Sequence, residues 1–402
     1  MPLVTQTFNH KTLMRIAIVI AFVQFTNALE YMALTPVFAF MAEGFSVPVS
    51  FSGYVSGMYT LGAVLSGIVA FYCIDLFNKK QFLLTNMMLL GALTFLSTLT
   101  THFDILLALR FCAGAVGGTT MGVGMSILIN YAPANLRGKM LATVIASFSL
   151  VSIVGMPAIL FLCTHYGWHT APGLISSLCL LSLPLIIFII PRDTAPSGVK
   201  RNLSIDAQTL LFASCTALVQ FSPMLIIPIL APLMTQYMGA QQNLLPLLFL
   251  SGGIAGYLST KITGMLTSRL SALMLATIST LFLVASLLIP AMGYHNVFLF
   301  ITLFLGASYS RLVCASSVAV QYPEDEQRAS FTSLQTAMMY LITTLAFFLS
   351  SLLLPDQGIT TQNLNRLLVV SALAASVFPV MVIILQKKLA KRTVPSDHFI
   401  ID

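Results

Sequence analysis

A carboxylate inside the first long apolar stretch, Glu30, is the residue whose type and position most strongly indicate chemistry. It lies in VQFTNALEYMALTP (residues 23–36), in a chain in which only 8% of the residues are charged. A charge at the bilayer centre costs about 2.5–3.5 kcal/mol on insertion scales, so such residues usually face a cavity or a partner. We predict that Glu30 binds and releases a proton or pairs with a cationic substrate. The alternative is a structural glutamate, paired or hydrogen-bonded between helices.

Further polar side chains share one face of the same stretch. At 100° per residue, Gln24, Asn27, Glu30, Tyr31 and Thr35 fall within one arc of about 140°. The first helix therefore has a polar stripe, and we predict that Gln24, Asn27 and Tyr31 line a substrate cavity.

Two arginines lie inside later apolar stretches. Arg110 precedes Arg137 by 27 residues, which places it toward the outer end of its helix. A fixed cation there could bias a nearby carboxylate or bind an anion, although a helix-end anchor is the alternative. The different depths of Glu30 and Arg110 allow a direct pair without implying one.

Arg311 lies 17 residues before Arg328 and well inside its helix. With Tyr309 it is the best candidate in the second half for a contact with substrate or a gate. The alternative for this arginine is packing, with its head group snorkelling toward water. Gln220 and Gln335 are further candidates for cavity amides.

Transmembrane helices are the elements that position these side chains. The 402 residues are 57% hydrophobic with a mean hydropathy of +0.93, which is more apolar side chain than one soluble core buries. A span needs about 20 apolar residues. The sequence predicts twelve spans, at 14–41, 50–74, 81–100, 104–131, 139–164, 171–191, 207–235, 244–265, 271–290, 296–320, 329–354 and 364–386. The predicted fold is therefore an all-α membrane protein.

The distribution of basic residues predicts the orientation. Of the 19 Lys and Arg residues, all but Arg110, Arg311 and Arg366 fall on the side that holds both termini, which indicates a cytoplasmic location for that side. The basic residues behind the net charge of +7 thus set the topology and contact lipid headgroups. We therefore predict no nucleic-acid partner. The six cysteines form neither a metal motif nor a disulfide framework, so no metal or other cofactor is expected.

The sequence contains two halves that share a repeated phrase. VQF and the following proline recur in VQFSPMLIIPILAP (residues 219–232), where Ile226 stands at the position of the glutamate. Repeated halves usually form two bundles around a central site. We predict bundles of six helices at 1–191 and 207–402, joined by a polar cytoplasmic linker at 192–206.

Several segments resemble the major facilitator superfamily. LALRFCAGAVGG (107–118) is similar to its R-x-x-x-G motif through Arg110 and Gly114, and APANLRGKM (132–140) to its cytoplasmic turn through Arg137. SFSLVSIVGMPAIL (147–160) looks like its antiporter region through Gly155 and Pro157, although Met156 separates the two. RASFTSLQTAMMYL (328–341) resembles the drug- and arabinose-efflux branch.

The resemblance implies roles that the residues alone do not establish. It implies that spans 1, 4, 7 and 10 line a central cavity, that Arg110 serves proton coupling or structure, and that the glycine motifs pack helices. It also implies a cytoplasmic gate at Asp75, Lys79 and Lys80, with Arg137 nearby. FYCIDLFNKK (71–80) keeps these three residues but has Leu76 where the family has arginine.

The predicted function is secondary active transport by alternating access, driven by the proton gradient across the cell inner membrane. Proton-coupled efflux of a small organic molecule or drug is the first expectation. The alternative is proton-coupled import of a small organic solute, either anionic or siderophore-like. A more remote alternative is a non-transporting membrane sensor. No P-loop or intramembrane hydrolase motif is found, so the chain is not expected to be an enzyme. We expect a monomer whose partners are substrate, protons and lipids.

Overall fold

A computed structural model describes residues 10–73, 78–131, 134–191, 206–322, 328–354 and 360–393. Helices of membrane-spanning length dominate this part of the chain, and twelve spans can be traced. They are α1 (His10–Met41), α2 (Ser52–Cys73), α3 (Lys79–Leu99), α4 (Phe103–Tyr131), α5 (Ala134–Leu150, Val151–Gly155 and Met156–Tyr166), α6 (Thr170–Ile189), α7 (Ala207–Ile226, Ile227–Ile229, Leu230–Pro232 and Leu233–Tyr237), α8 (Leu245–Leu266), α9 (Ala272–Ala291), α10 (Val297–Ala319), α11 (Arg328–Leu353) and α12 (Thr361–Thr393). Within these residues, eleven helices are long and apolar enough to cross a membrane. The predicted fold class, a polytopic all-α membrane protein, is confirmed.

Short polar residues begin several of these helices. A side-chain oxygen at the N-cap accepts a hydrogen bond from a backbone amide that has no partner inside the helix. The caps are Asn78 for α3, Asp206 for α7, Ser271 for α9 and Asn296 for α10. These caps fix where each span starts, although hydropathy alone leaves the boundary undefined.

Two spans are interrupted in ways that the hydropathy pattern does not predict. α5 contains a π-helical turn, Val151–Gly155, immediately before Pro157. α7 passes through 3-10, α and π segments between Ile227 and Tyr237, where it carries Pro228 and Pro232. Proline has no backbone N–H and clashes with the preceding turn, so it weakens the regular helical hydrogen bonding at these positions.

The helices form two bundles. α1 packs on α4, α5 and α6, and α2 and α3 pack on α4; in the second bundle α10 packs on α8 and α9, and α7 on α11 and α12. Between the bundles, α2 packs against α11 and α5 packs against α8. The predicted linker, apart from Asp206, lies outside the described residues.

Polar contacts join the bundles in the half of the molecule opposite the termini. Ser351 Oγ donates a hydrogen bond to the Ser50 carbonyl at 2.6 Å, and Ser52 Oγ donates to the carbonyl of Pro228. Closer to the middle, Thr344 Oγ1 donates to Thr60 Oγ1 at 2.8 Å. The bundles are therefore closed against each other at that end.

Candidate functional site

A buried ion pair lies inside the first bundle. The Arg110 guanidinium donates a hydrogen bond to Glu30 Oε1, and the two side chains are 2% and 1% exposed. Thr94 Oγ1 donates to the same oxygen at 3.4 Å, so α1, α3 and α4 meet at one carboxylate. The direct pair left open by the sequence is thus present.

Tyrosines connect this ion pair to the interface between the bundles. The guanidinium carbon of Arg110 lies 4.6 Å from the ring centroid of Tyr59 on α2, a cation–π arrangement. Tyr59 contacts Tyr31 of α1 at 5.4 Å between centroids, and Tyr31 meets the ring of Tyr340 of α11 edge-on at 6.1 Å. We call Tyr340, Tyr31 and Tyr59 the tyrosine series.

Glycines of α4 allow α2 to approach closely. A Cβ at Gly114 would clash with the Tyr59 backbone, and one at Gly117 would clash with the Tyr59 hydroxyl and lie 2.9 Å from Asn27 Oδ1. Gly114 therefore lies where the helix-packing prediction requires a small residue. The same close approach holds Tyr59 over Arg110.

Gln24 and Asn27 do not line the cavity, contrary to their predicted position. Both are buried. Gln24 Nε2 donates to the Thr120 carbonyl of α4 at 3.1 Å, and a Cβ at Gly124 would lie 2.8 Å from that nitrogen. The reason is that α4 packs so closely on this part of α1 that it covers the polar stripe there.

A cavity of about 400 Å³ lies between the bundles, within the range of small-molecule sites. Its wall is mostly apolar, with five methionines at positions 32, 121, 156, 224 and 339. The aromatic lining residues are Tyr31, Phe148, Phe249, Tyr309, Tyr340 and Phe347. The polar lining residues are Thr35, Ser152, Gln220, Ser308, Thr336 and Thr343. Among the described residues, no Asp, Glu, Lys, Arg or His lines this cavity.

The cavity therefore includes some of the predicted residues and excludes others. Tyr31, Gln220 and Tyr309 line it, whereas Glu30 and Arg110 lie behind the tyrosine series. Gln335 is half-buried and does not line it, although the next residue along α11 does.

Arg311 is buried within the second bundle and also lies outside the cavity lining. It is 1% exposed, and its Nη2 donates to the Ala375 carbonyl of α12 at 3.0 Å. Its guanidinium carbon lies 5.4 Å from the Phe378 ring centroid. Its Nε and Nη1 make no hydrogen bond within the described part of the chain. Its side chain extends toward α12 and not into the cavity, so a contact with substrate or a gate stays a prediction for Arg311.

The structure describes only some residues of the predicted gate. Asp75 lies outside the described residues, and Arg137 lies in α5 with a side chain that is not described. Lys80 Nζ donates to the carbonyls of Ile187 and Ile190 at the end of α6. The dipole of a helix favours a cation at its C-terminus, as here. Lys79 is buried at the start of α3. The gating role stays a prediction for these residues.

The remaining motif residues shape α5. Gly155 ends the π-helical turn, and a Cβ there would lie 2.9 Å from Leu29 Cδ1 of α1. Pro157 follows within the first turn of the next helical segment. Single π-helical turns occur frequently at functional sites, and this one carries Ser152 of the cavity wall.

Sequence reasoning missed Tyr59, Thr94, Ser152 and Tyr340. Each is an ordinary residue of an apolar helix. Ser152 and Tyr340 lie within segments that resemble the family, but nothing in those segments singles them out. One signal was available for Tyr59, since the glycines at 114, 117 and 118 predict a face of α4 on which another helix packs closely.

The described helices thus form two bundles with a cavity between them. The family model described as Major Facilitator Superfamily matches residues 20–211, which covers most of the first bundle. The first half of the chain is therefore similar in sequence to the Major Facilitator Superfamily.

The relatives that the chain resembles include transporters. It is 28% identical over 193 residues to the niacin transporter NiaP of Acinetobacter baylyi, covering 48% of this chain and 40% of the relative. It is 25% identical over 178 residues to the 4-hydroxybenzoate transporter PcaK of the same organism, covering 44% and 39%. A probable sugar efflux transporter of Mannheimia succiniciproducens is 23% identical, covering 48% of each chain. The matches therefore span about half the length of these curated relatives or less.

Solved structures match over nearly the whole chain. A bacterial homologue of the human lysosomal transporter Spinster, inward-facing and unoccupied, has a TM-score of 0.72 at 14% identity and covers 96% of this chain and 99% of its own. The POT family transporter PepTSo has a TM-score of 0.75 at 11% identity, covering 95% and 99%. At these identities the match concerns the fold. Because the matched family and relatives are membrane transporters, the prediction that the chain is not an enzyme is confirmed.

Proposed function

We propose that this protein is a secondary active transporter that moves a small organic molecule by alternating access and is driven by the proton gradient. The observation that carries the proposal is the buried Glu30–Arg110 pair, connected by tyrosines to an apolar cavity between two bundles. A buried ionisable pair within a membrane bundle usually marks a proton or substrate pathway.

Glu30 is the proposed proton site. Its Oε1 accepts hydrogen bonds from Arg110 and Thr94, whereas its Oε2 makes none within the described residues. Protonation would remove the charge that Arg110 neutralises and would weaken that pair. Arg110 lies over Tyr59, which contacts Tyr31 in the cavity wall, so a shift of the guanidinium would reach the cavity through two aromatic rings.

The separation between the ion pair and the cavity favours symport. In the simplest antiport scheme, proton and substrate occupy one carboxylate in turn, and that scheme requires Glu30 to be exposed to substrate. Glu30 is instead 1% exposed and does not line the cavity. Proton and substrate would therefore bind at separate sites at the same time, which is the arrangement that symport requires.

The substrates for which two similar transporters are named support a small organic substrate for this protein. NiaP and PcaK are named for niacin and 4-hydroxybenzoate, both small aromatic molecules, and the cavity lining is rich in aromatic and methionine side chains. We place the protein in the inner membrane with both termini in the cytoplasm, as its basic residues indicate. The closed end of the bundles would then face outward.

Efflux by antiport is the second candidate. The resemblance of span 11 to the efflux branch and the match to a probable sugar efflux transporter favour it. It requires a conformation in which Glu30 becomes accessible from the cavity.

One experiment separates the two candidates. Internal and external metabolite pools of a deletion strain and a complemented strain identify a substrate and the direction of its net movement. The purified protein is then placed in proteoliposomes, and an acidic exterior is imposed. Symport predicts inward accumulation that a protonophore abolishes. Antiport predicts accumulation only when the lumen is acidic, and a substrate flux that ignores both gradients would contradict either form of proton coupling.

A further inference from the structure

The hydroxyl groups of Ser152 and Tyr309 form a hydrogen bond between the two bundles inside the cavity wall. Ser152 Oγ lies 3.0 Å from the Tyr309 hydroxyl oxygen, and either atom can be the donor. Ser152 belongs to α5 of the first bundle and Tyr309 to α10 of the second. Both residues line the cavity, so a molecule bound there can reach both bundles at this one point.

Backbone packing fixes the position of both hydroxyl groups. Ser152 lies in the π-helical turn of α5, and a Cβ at Gly253 of α8 would clash with the Ser152 carbonyl. A Cβ at Gly256, one turn further along α8, would clash with the Tyr309 ring. The absence of side chains at these two glycines of α8 thus lets Ser152 and Tyr309 pack closely against that helix. Residues whose positions are fixed by close packing are typical of a binding site.

The rest of the wall restricts the charge of the ligand. No ionised side chain lines the cavity within the described residues, and Arg110 lies behind the tyrosine series rather than in the wall. A charged ligand would lose its hydration without gaining a counter-charge, whereas an uncharged ligand has to satisfy only its polar groups. Methionines provide an adaptable apolar surface for the remainder of the molecule.

We propose that the Ser152–Tyr309 pair is the recognition contact for substrate, and that the substrate class is uncharged aromatic molecules carrying one hydrogen-bonding group. The polar group of the ligand inserts between the two hydroxyl groups, replaces their direct hydrogen bond with one to each, and so binds to both bundles. This inference rests on the proposed transport function, because it names the ligand of the same cavity.

Three probes of matched shape and different charge test the inference, namely benzamide, benzoate and benzylamine at neutral pH. Equilibrium binding of radiolabelled probe to the full-length protein in detergent is measured for the wild type, Tyr309→Phe and Ser152→Ala. Tyr257→Phe, a tyrosine exposed on α8, is the control. We expect benzamide to bind more tightly than either ion. We also expect each cavity variant to weaken its binding by about fivefold, the value of one hydrogen bond, with no change for the control.

Tighter binding of benzoate or benzylamine would overturn the assigned charge class, and failure of all three probes to bind would overturn the substrate class. Benzamide affinity in Tyr309→Phe equal to that in Tyr257→Phe would overturn the recognition contact. No gradient is present in these measurements, so their failure is distinguishable from a failure of proton coupling, which the liposome assay reports independently.

Discussion

Arg110 of α4 binds Glu30 of α1 inside the first bundle, where both side chains are shielded from the cavity. The pair sits behind Tyr59, and the tyrosine series connects it to the cavity wall. A proton that binds to Glu30 would therefore act on substrate through the protein rather than by direct contact.

The ion pair predicts that two buried arginines differ in their importance for stability. Arg110→Met leaves Glu30 buried without its counter-charge, and we expect a loss of about 3–5 kcal/mol in the free energy of unfolding. Arg311→Met removes a hydrogen bond to one backbone carbonyl, and we expect a loss of about 1 kcal/mol. Unfolding in mixed detergent micelles measures both.

A second change separates the charge from the packing in this comparison. Glu30→Gln added to Arg110→Met removes the unpaired charge and should restore part of the lost stability. Equal losses for Arg110→Met and Arg311→Met, or no recovery in the double variant, would contradict the assigned role of the pair.

Close packing of α4 on α2 predicts a position-specific effect of alanine. A Cβ at Gly117 would clash with the Tyr59 hydroxyl, whereas nothing lies within 4 Å of a Cβ at Gly122 on the same helix. Gly117→Ala should lower both the thermal unfolding temperature and transport, because it displaces Tyr59 from Arg110. Gly122→Ala should leave both unchanged or slightly raise stability, since alanine favours helix. Identical behaviour of the two variants would show that the Tyr59 position is unimportant.

Sequence patterns predicted the helices well because hydropathy reports directly on the length of a span. The twelve predicted segments correspond to the twelve spans of the structure, and Glu30 and Arg110 were recognised as exceptional by their charge alone. The breaks in α5 and α7 were not predicted, because their cause is local backbone geometry around Pro157, Pro228 and Pro232.

The arrangement of the site was harder to predict because a sequence gives depth along a helix but not which neighbour faces each residue. Gln24 and Asn27 share the polar face of α1 with Tyr31, yet α4 covers the first two and leaves the third in the cavity wall. Arg311 has the right depth for the cavity but extends toward α12. Ser152 reaches the cavity wall on a π-helical turn, which the hydropathy pattern does not predict.

The closed end of the bundles predicts a disulfide that locks this conformation. The Thr60 and Thr344 side-chain oxygens are 2.8 Å apart across the interface, so cysteines at both positions can be oxidised to a cross-link. We expect Thr60→Cys with Thr344→Cys, in a background without native cysteines, to lose transport on oxidation and regain it on reduction. Each single variant is the control. Full transport by the oxidised double variant would contradict opening at this end.

The cap of α7 predicts a dependence of stability on acid pH. Hydrogen bonds from Thr209 hold the pKa of the exposed Asp206 carboxyl below its ordinary value. The charged form therefore stabilises the fold above the unfolded pKa of about 4, and this contribution is lost as pH falls through the lower folded pKa. Asparagine caps helices equally well but does not titrate.

We therefore expect the difference in unfolding temperature between wild type and Asp206→Asn to be constant from about pH 7 to pH 5, and to shift in favour of the variant below about pH 4. Thermal unfolding in detergent at each pH measures it. A difference that does not vary with pH would mean that the carboxylate charge adds nothing to the cap.

The most direct test of the central claim is gradient-driven uptake by Glu30→Gln compared with substrate counterflow by the same variant. Counterflow requires a folded protein that alternates between its two open states, but it needs no proton gradient. We predict that Glu30→Gln in proteoliposomes retains counterflow and loses accumulation under an imposed pH gradient, because the proton site is gone. Gradient-driven accumulation at the wild-type level in Glu30→Gln would contradict the assignment of Glu30 as the proton site.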